Sequence, residues 1–181
     1  MQFLASDAVF IQRFNLLIGE TMEISNEIYS AAELLDRTGS IYLSQDNSLY
    51  KNEQWHEIES IVFSSDLSWE KITIGDAGES NEVEVARFMT DVDRPRLGNH
   101  SLSNRLVQLL GSEVLLNFCR RLLSASNLFI RRVQVNRMNT GSFIGLHLDR
   151  DSNPDYDLSI VLQFGTSYGG GQFVVHTDEG N

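Results

Sequence analysis

Phe143-Ile144-Gly145-Leu146-His147-Leu148-Asp149 is the stretch that decides how the C-terminal part of this chain is read. Successive side chains of a strand point to opposite faces. Phe143 to Leu148 is therefore expected to be a strand, with His147 and Asp149 on one face and Ile144, Leu146 and Leu148 on the other. One imidazole and one carboxylate two residues apart supply two of the three ligands of a 2-His-1-carboxylate metal triad. The third ligand, a histidine, is expected on a later strand. Thirty-two residues follow Asp149 (181 minus 149), which leaves little chain to carry it.

Outward from that stretch the pattern stays β. Leu128 to Met138, Leu158 to Phe164 and Gln172 to His176 are expected strands. Turn formers separate them at Asn139-Thr140-Gly141, Asp151 to Asp155 and Gly165 to Gly171. Upstream the character is mixed. Met22 to Arg37 places Ile24, Ile28, Ala31, Ala32, Leu34 and Leu35 at helical spacing, with Gly39 as the stop. Ser103 to Leu110 and Glu113 to Leu123 are expected helices. Ser112 caps the second, which has Glu113 in its first turn and Arg120-Arg121 in its last, both suited to the helix dipole. Ile41 to Leu43, Trp69 to Ile74 and Val83 to Met89 are expected strands, and Gly75 to Asn81 a loop. Trp55 to Phe63 reads either way, because His56, Glu57 and Glu59 interrupt its apolar run. These elements predict a single α+β domain in which helices cover one face of a mostly antiparallel jelly-roll. Residues 1–126 form its helical and mixed support, and residues 127–181 its jelly-roll strands.

From Asn136 through Gly141 to His147-Leu148-Asp149, the chain resembles the iron(II)- and 2-oxoglutarate-dependent dioxygenases, in particular their prolyl-hydroxylase-like and AlkB-like branches. In that family a strand ending in Asn-x-Tyr leads through a glycine turn into a strand carrying His-x-Asp. Asp157 to Phe164, then Tyr168-Gly169-Gly170-Gly171-Gln172-Phe173, is similar to the family's next strand and its Gly-Gly hairpin. The order of these features carries the resemblance, since His-x-Asp alone arises by chance in many proteins. It covers residues 127–181 and implies a double-stranded β-helix core.

Carried over position by position, the resemblance makes His147 and Asp149 ligands of Fe(II), and Asn136 a contact to the co-substrate 2-oxoglutarate. Met138 stands where the family has tyrosine, and a thioether cannot donate a hydrogen bond to a carboxylate. Relatives that halogenate carry a small residue in place of the aspartate, so a carboxylate at 149 implies hydroxylation or a related oxidation. The family also supplies a distal histidine and an arginine or lysine for the far carboxylate of 2-oxoglutarate. Neither is identifiable before Asn181, and the sequence reads as a C-terminally truncated form of a longer enzyme. His176, after the Gly-Gly hairpin, is weighed as a substitute ligand and reads better as an ordinary strand histidine. His56 and His100 lie outside the β region.

Composition sets the surroundings. With 25 acidic and 14 basic residues the formal charge is −11, a field that repels nucleic-acid phosphates and anionic membranes. Arg120-Arg121 and Arg131-Arg132 are the basic doublets. The single cysteine, Cys119, excludes an intrachain disulfide, fits a reducing cytoplasm and lies in an apolar helical run where a packed thiol is expected. The N-terminus lacks the basic region of a signal peptide, and no apolar run reaches the length of a membrane span. The expected function is hydroxylation of a C–H bond in a small-molecule or peptidyl substrate with dioxygen. The competing expectations are a non-catalytic jelly-roll module, a truncated protein unable to hold iron, and a cupin-like protein binding another divalent metal.

Overall fold

The structure is a computed structural model; it describes residues 8–13, 26–44, 49–73, 82–90, 98–147, 149, 155–164 and 174. The elements run β1 (Ala8–Arg13), α1 (Asn26–Thr38), β2 (Ser40–Ser44), α2 (Asn52–Val62), β3 (Glu70–Ile72), β4 (Val83–Met89), α3 (His100–Leu110), α4 (Glu113–Leu123), β5 (Val133–Arg137) and β6 (Leu158–Gln163). The chain is α+β. Among the described residues, two three-stranded sheets, with orders β2-β1-β6 and β3-β4-β5, carry the strands, and every pairing is antiparallel. Four of the six strands among the described residues lie before residue 126, so each sheet combines early chain with late chain.

Helices α1 and α4 show how an apolar stripe and a terminal cap set their bounds. Helix α1 ends where Gly39 takes φ +72°, a conformation that spares glycine the Cβ clash, and Gly39 N–H donates to Leu35 O at 2.8 Å. The ambiguous segment around Trp55 is helical because Trp55, Ile58, Ile61 and Val62 fall on one buried face. Trp55 lies edge-on to Tyr50 and to Phe164 at the end of β6, both at 5.3 Å between ring centroids. In α4, Leu115, Cys119 and Leu122 are buried, and Ser112 Oγ accepts from Leu115 N–H at 3.3 Å. Ser112→Ala removes that cap and is expected to cost about 1 kcal/mol, read from urea unfolding midpoints at unchanged m-value.

Burial is divided face by face. Val133 and Val135 of β5 join a core with Ala86 and Phe88 of β4, Leu106 and Leu109 of α3, and Leu115 of α4. Leu158, Ile160 and Leu162 of β6 pack against the same core. Alternation then turns Gln134 and Asn136 of β5, and Ser159 of β6, to the opposite faces of their strands. In β4–β5 the register is Glu84↔Arg137, Val85↔Asn136 and Arg87↔Gln134, and an irregularity follows between Arg87 and Met89. The structure places the Cys119 thiol in the core, where burial pushes its pKa up to about 11. Cys119 is therefore expected to resist alkylation at neutral pH in native protein and to react only once the chain is unfolded.

Candidate metal centre

Several expected boundaries shift, and one expected strand is absent. Residues 143–147 form no strand; Leu148 lies outside the described residues. A glycine turn does precede them, with Gly141 at φ +85°. The physical reason for the missing strand is local. His147 Nδ1 lies 2.8 Å from Gly145 O, so a side chain takes up a carbonyl that a ladder would use. Leu128 to Met138 shortens to β5 for a related cause: residues 128–132 run outside the sheet, where Arg131 pairs with Asp155 at 3.1 Å and the Arg132 guanidinium stands 5.8 Å over the Tyr156 ring. Two cross-links thus tie the approach to β5 to the approach to β6.

The structure brings His147 and Asp149 together without a strand. His147 Nε2 lies 3.2 Å from Asp149 Oδ1, with 35% and 33% of the two side chains exposed, enough for a small ligand to reach both. Both ring nitrogens therefore face oxygen acceptors. A neutral imidazole has one N–H to give. With that proton on Nδ1, donated to Gly145 O, the Nε2 lone pair points toward a carboxylate, and only a second proton or a cation satisfies that arrangement. A carbonyl that fixes the tautomer of a ligand histidine is the usual support of a metal site. The 3.2 Å separation also suits two neighbouring ligands around one ion, which sit roughly 3 Å apart when metal–ligand bonds are about 2.1 Å. The donor set fits a divalent metal.

Asp149 is held from two directions. Burial opposes its ionisation, but hydrogen bonds from His147 and Ser159 and the charges of His147 and Arg132 outweigh it and hold the carboxyl below the usual carboxylate range. Ser159 belongs to the β2-β1-β6 sheet, and Arg132 leads directly into β5 of the other sheet. Asp149 is therefore influenced by one residue of β6 and by the residue that precedes β5. Asn136 lies on the side of β5 away from the core, where Gln134 Nε2 donates to its Oδ1 at 3.0 Å; Met138 is half-buried just beyond. Among the described residues no third His, Cys, Asp or Glu completes a metal-binding group, and His176 lies outside them. Ser159, Arg132 and Tyr156 escape sequence reasoning as site residues. A lone hydroxyl inside the apolar run of β6 and the Arg131-Arg132 doublet were the available signals.

No family model matches the chain, and no curated protein matches it significantly. Among solved structures it matches an oxidoreductase of the 2OG-Fe(II) oxygenase family from Burkholderia pseudomallei, with 32% identity and a TM-score of 0.64 over 75% of this chain. This chain is related to the 2OG-Fe(II) oxygenases. It spans 64% of the length of that oxygenase structure. The kinship with the 2OG-Fe(II) oxygenases agrees with the α+β architecture and the antiparallel sheets. No helix among the described residues is long and apolar enough to cross a membrane.

Proposed function

We propose that the chain is an iron(II)- and 2-oxoglutarate-dependent dioxygenase that hydroxylates a C–H bond of a small-molecule or peptidyl substrate. The observation that carries this reading is the His147–Asp149 pair, 3.2 Å apart, with Nδ1 turned to a carbonyl and Nε2 toward the carboxylate. In such an enzyme, iron(II) with 2-oxoglutarate and dioxygen supplies oxidative decarboxylation coupled to oxidation of the substrate. His147 and Asp149 would hold the metal, and Asn136 would contact the co-substrate. The carboxylate at 149 offsets metal charge, and the Arg132 guanidinium near it lowers the cost of bringing a dianion to an acidic protein. Exposed Phe143 and Leu146, just ahead of His147, offer apolar surface beside the site. The two antiparallel sheets are read as parts of a jelly-roll. The charge of −11 favours substrates other than nucleic acid, and a buried thiol suits a reducing cytoplasm.

Anaerobic titration with Fe(II) and then 2-oxoglutarate tests the reading. A charge-transfer band that grows only when both are present is expected. Metal uptake indifferent to 2-oxoglutarate would point instead to a cupin-like binder, and no metal uptake to a non-catalytic module.

A further inference from the structure

We propose that Gln134 is a positioning residue that turns the Asn136 amide, donor outward, toward a carboxylate of 2-oxoglutarate. The inference rests on the proposed contact of Asn136 with that co-substrate. Both residues stand on one face of β5, two positions apart, while Val133 and Val135 are buried in the core on the other. Across the ladder Gln134 is paired with Arg87 and Asn136 with Val85, and directly opposite residues of an antiparallel pair project to the same side. Val85 is 0% exposed and Val83 1%, yet neither belongs to the core that Ala86 and Phe88 enter. The Asn136 face of the sheet is therefore covered as well. Gln134 and Asn136 are half-buried there, with limited access to water.

The bond between the two amides sets the direction. Gln134 Nε2 donates to Asn136 Oδ1 at 3.0 Å. That bond commits the oxygen and leaves Nδ2, with its two N–H donors, facing away from Gln134. Among the described residues Asn136 Nδ2 meets no acceptor. The terminal torsion of an asparagine is broad and nearly two-fold, so an unrestrained amide exchanges oxygen for nitrogen at little cost. A carboxylate only accepts hydrogen bonds, and an amide oxygen turned toward it repels. Gln134 thus selects the one orientation in which Asn136 can hold an anion. The buried valines and the pairing with β4 fix β5, so the selection is made before a ligand arrives.

Gln134→Glu tests the role, because a carboxylate of the same length only accepts and would draw Asn136 Nδ2 to itself. The full chain is loaded anaerobically with Fe(II) and titrated with 2-oxoglutarate, read by calorimetric affinity and by the charge-transfer band. Neither readout needs turnover. Gln134→Glu is expected to weaken 2-oxoglutarate binding about 10- to 100-fold while Fe(II) affinity stays within about threefold of the parent. The new charge could itself repel a dianion, so the substitution is repeated in an Asn136→Ala background. There its effect is expected to fall below about threefold, because a residue that acts through Asn136 has nothing left to position. A loss of equal size in both backgrounds would assign the effect to charge and overturn the positioning role. Parental affinity in Gln134→Glu would overturn it too, leaving the metal centre and the Asn136 contact standing. Parental affinity in Asn136→Ala would overturn the contact and this inference with it. A parent chain that takes up no Fe(II), or takes up Fe(II) but no 2-oxoglutarate, would overturn the proposed function and this inference together. If Gln134→Glu does not fold, judged by its thermal transition, Gln134→Met removes the donor without adding charge. It is then expected to weaken binding about twofold or more, as the amide divides between two orientations, and the loss should vanish in the Asn136→Ala background.

Discussion

His147→Ala and Asp149→Ala are each expected to abolish divalent-metal binding and any 2-oxoglutarate turnover while leaving the fold intact. Both side chains are one-third exposed and lie outside the core, so their loss leaves no large cavity. On the proposed reading, what each removes is a ligand. Disturbing groups that merely support ligands costs about 10- to 100-fold in affinity, and deleting one of two described ligands costs more. Asp149→Ala additionally leaves Arg132 and Ser159 without the carboxylate that engages them. A folded His147→Ala protein that still decarboxylates 2-oxoglutarate would remove His147 from the site.

The same residue gives the metal-free protein a pH dependence of known sign. The folded pKa of Asp149 lies below its ordinary value, so ionised Asp149 contributes stability that is fully present above the ordinary carboxylate range. That contribution is lost as pH falls through the lowered folded value. Parent minus Asp149→Asn stability should therefore shrink as pH falls below the ordinary carboxylate range and through the lowered folded value. A difference that instead grew toward low pH would show that the carboxyl is raised.

Gly98→Ala is expected to be the most damaging single-atom-scale change in the described chain, costing about 3 kcal/mol or more. A Cβ at 98 would stand 2.2 Å from Arg87 O and 3.1 Å from Arg87 C, both backbone atoms that cannot rotate away. Nor can the strand easily shift. Arg87 O also accepts from Asn99 Nδ2 at 3.0 Å, and Asn99 Oδ1 accepts from Ser68 N–H at 2.7 Å. Asn99 itself sits at φ 48°, a left-handed conformation that asparagine tolerates better than most residues. Ser103, fully buried one turn into α3, bonds Gly98 O through its hydroxyl. The methyl group would press on a junction that ties β4, the approach to β3 and the start of α3 together. For a chain of this length the loss predicts a fall in Tm of roughly 6–12 °C, measurable by calorimetry. A change within about 0.5 kcal/mol would mean that the close approach of Gly98 to Arg87 is not rigid.

Helix α4 is legible in the sequence because cap, apolar stripe and terminal charges all agree: Ser112, then Leu115, Cys119 and Leu122, then Arg120-Arg121. Strand β4 is legible from Val83 and Val85, which alternate with polar residues, and helix α1 from its glycine stop. Strand β1 is not among the expected elements, although Ala8 to Arg13 is a compact apolar and β-branched run; six residues with no flanking turn signal carry little periodic information. The 143–148 segment misleads for a different reason. Its alternation is genuine, but alternation describes a strand only when a partner takes the ladder, and here the Gly145 carbonyl goes to His147 Nδ1. The pairing of His147 with Asp149 is foreseeable from their spacing. The influence of Arg132 on Asp149 is not, because it depends on tertiary placement of the approach to β5.

Strand β1 occupies the middle of its sheet, with β2 on one side and β6 on the other. Its first partner follows within a few dozen residues, whereas Ala8 meets Gln163 across 155 positions of chain (163 minus 8). During synthesis one edge of β1 therefore stays open until β6 has emerged. Closing so long a loop is slow, and an open edge is a template for pairing with other chains.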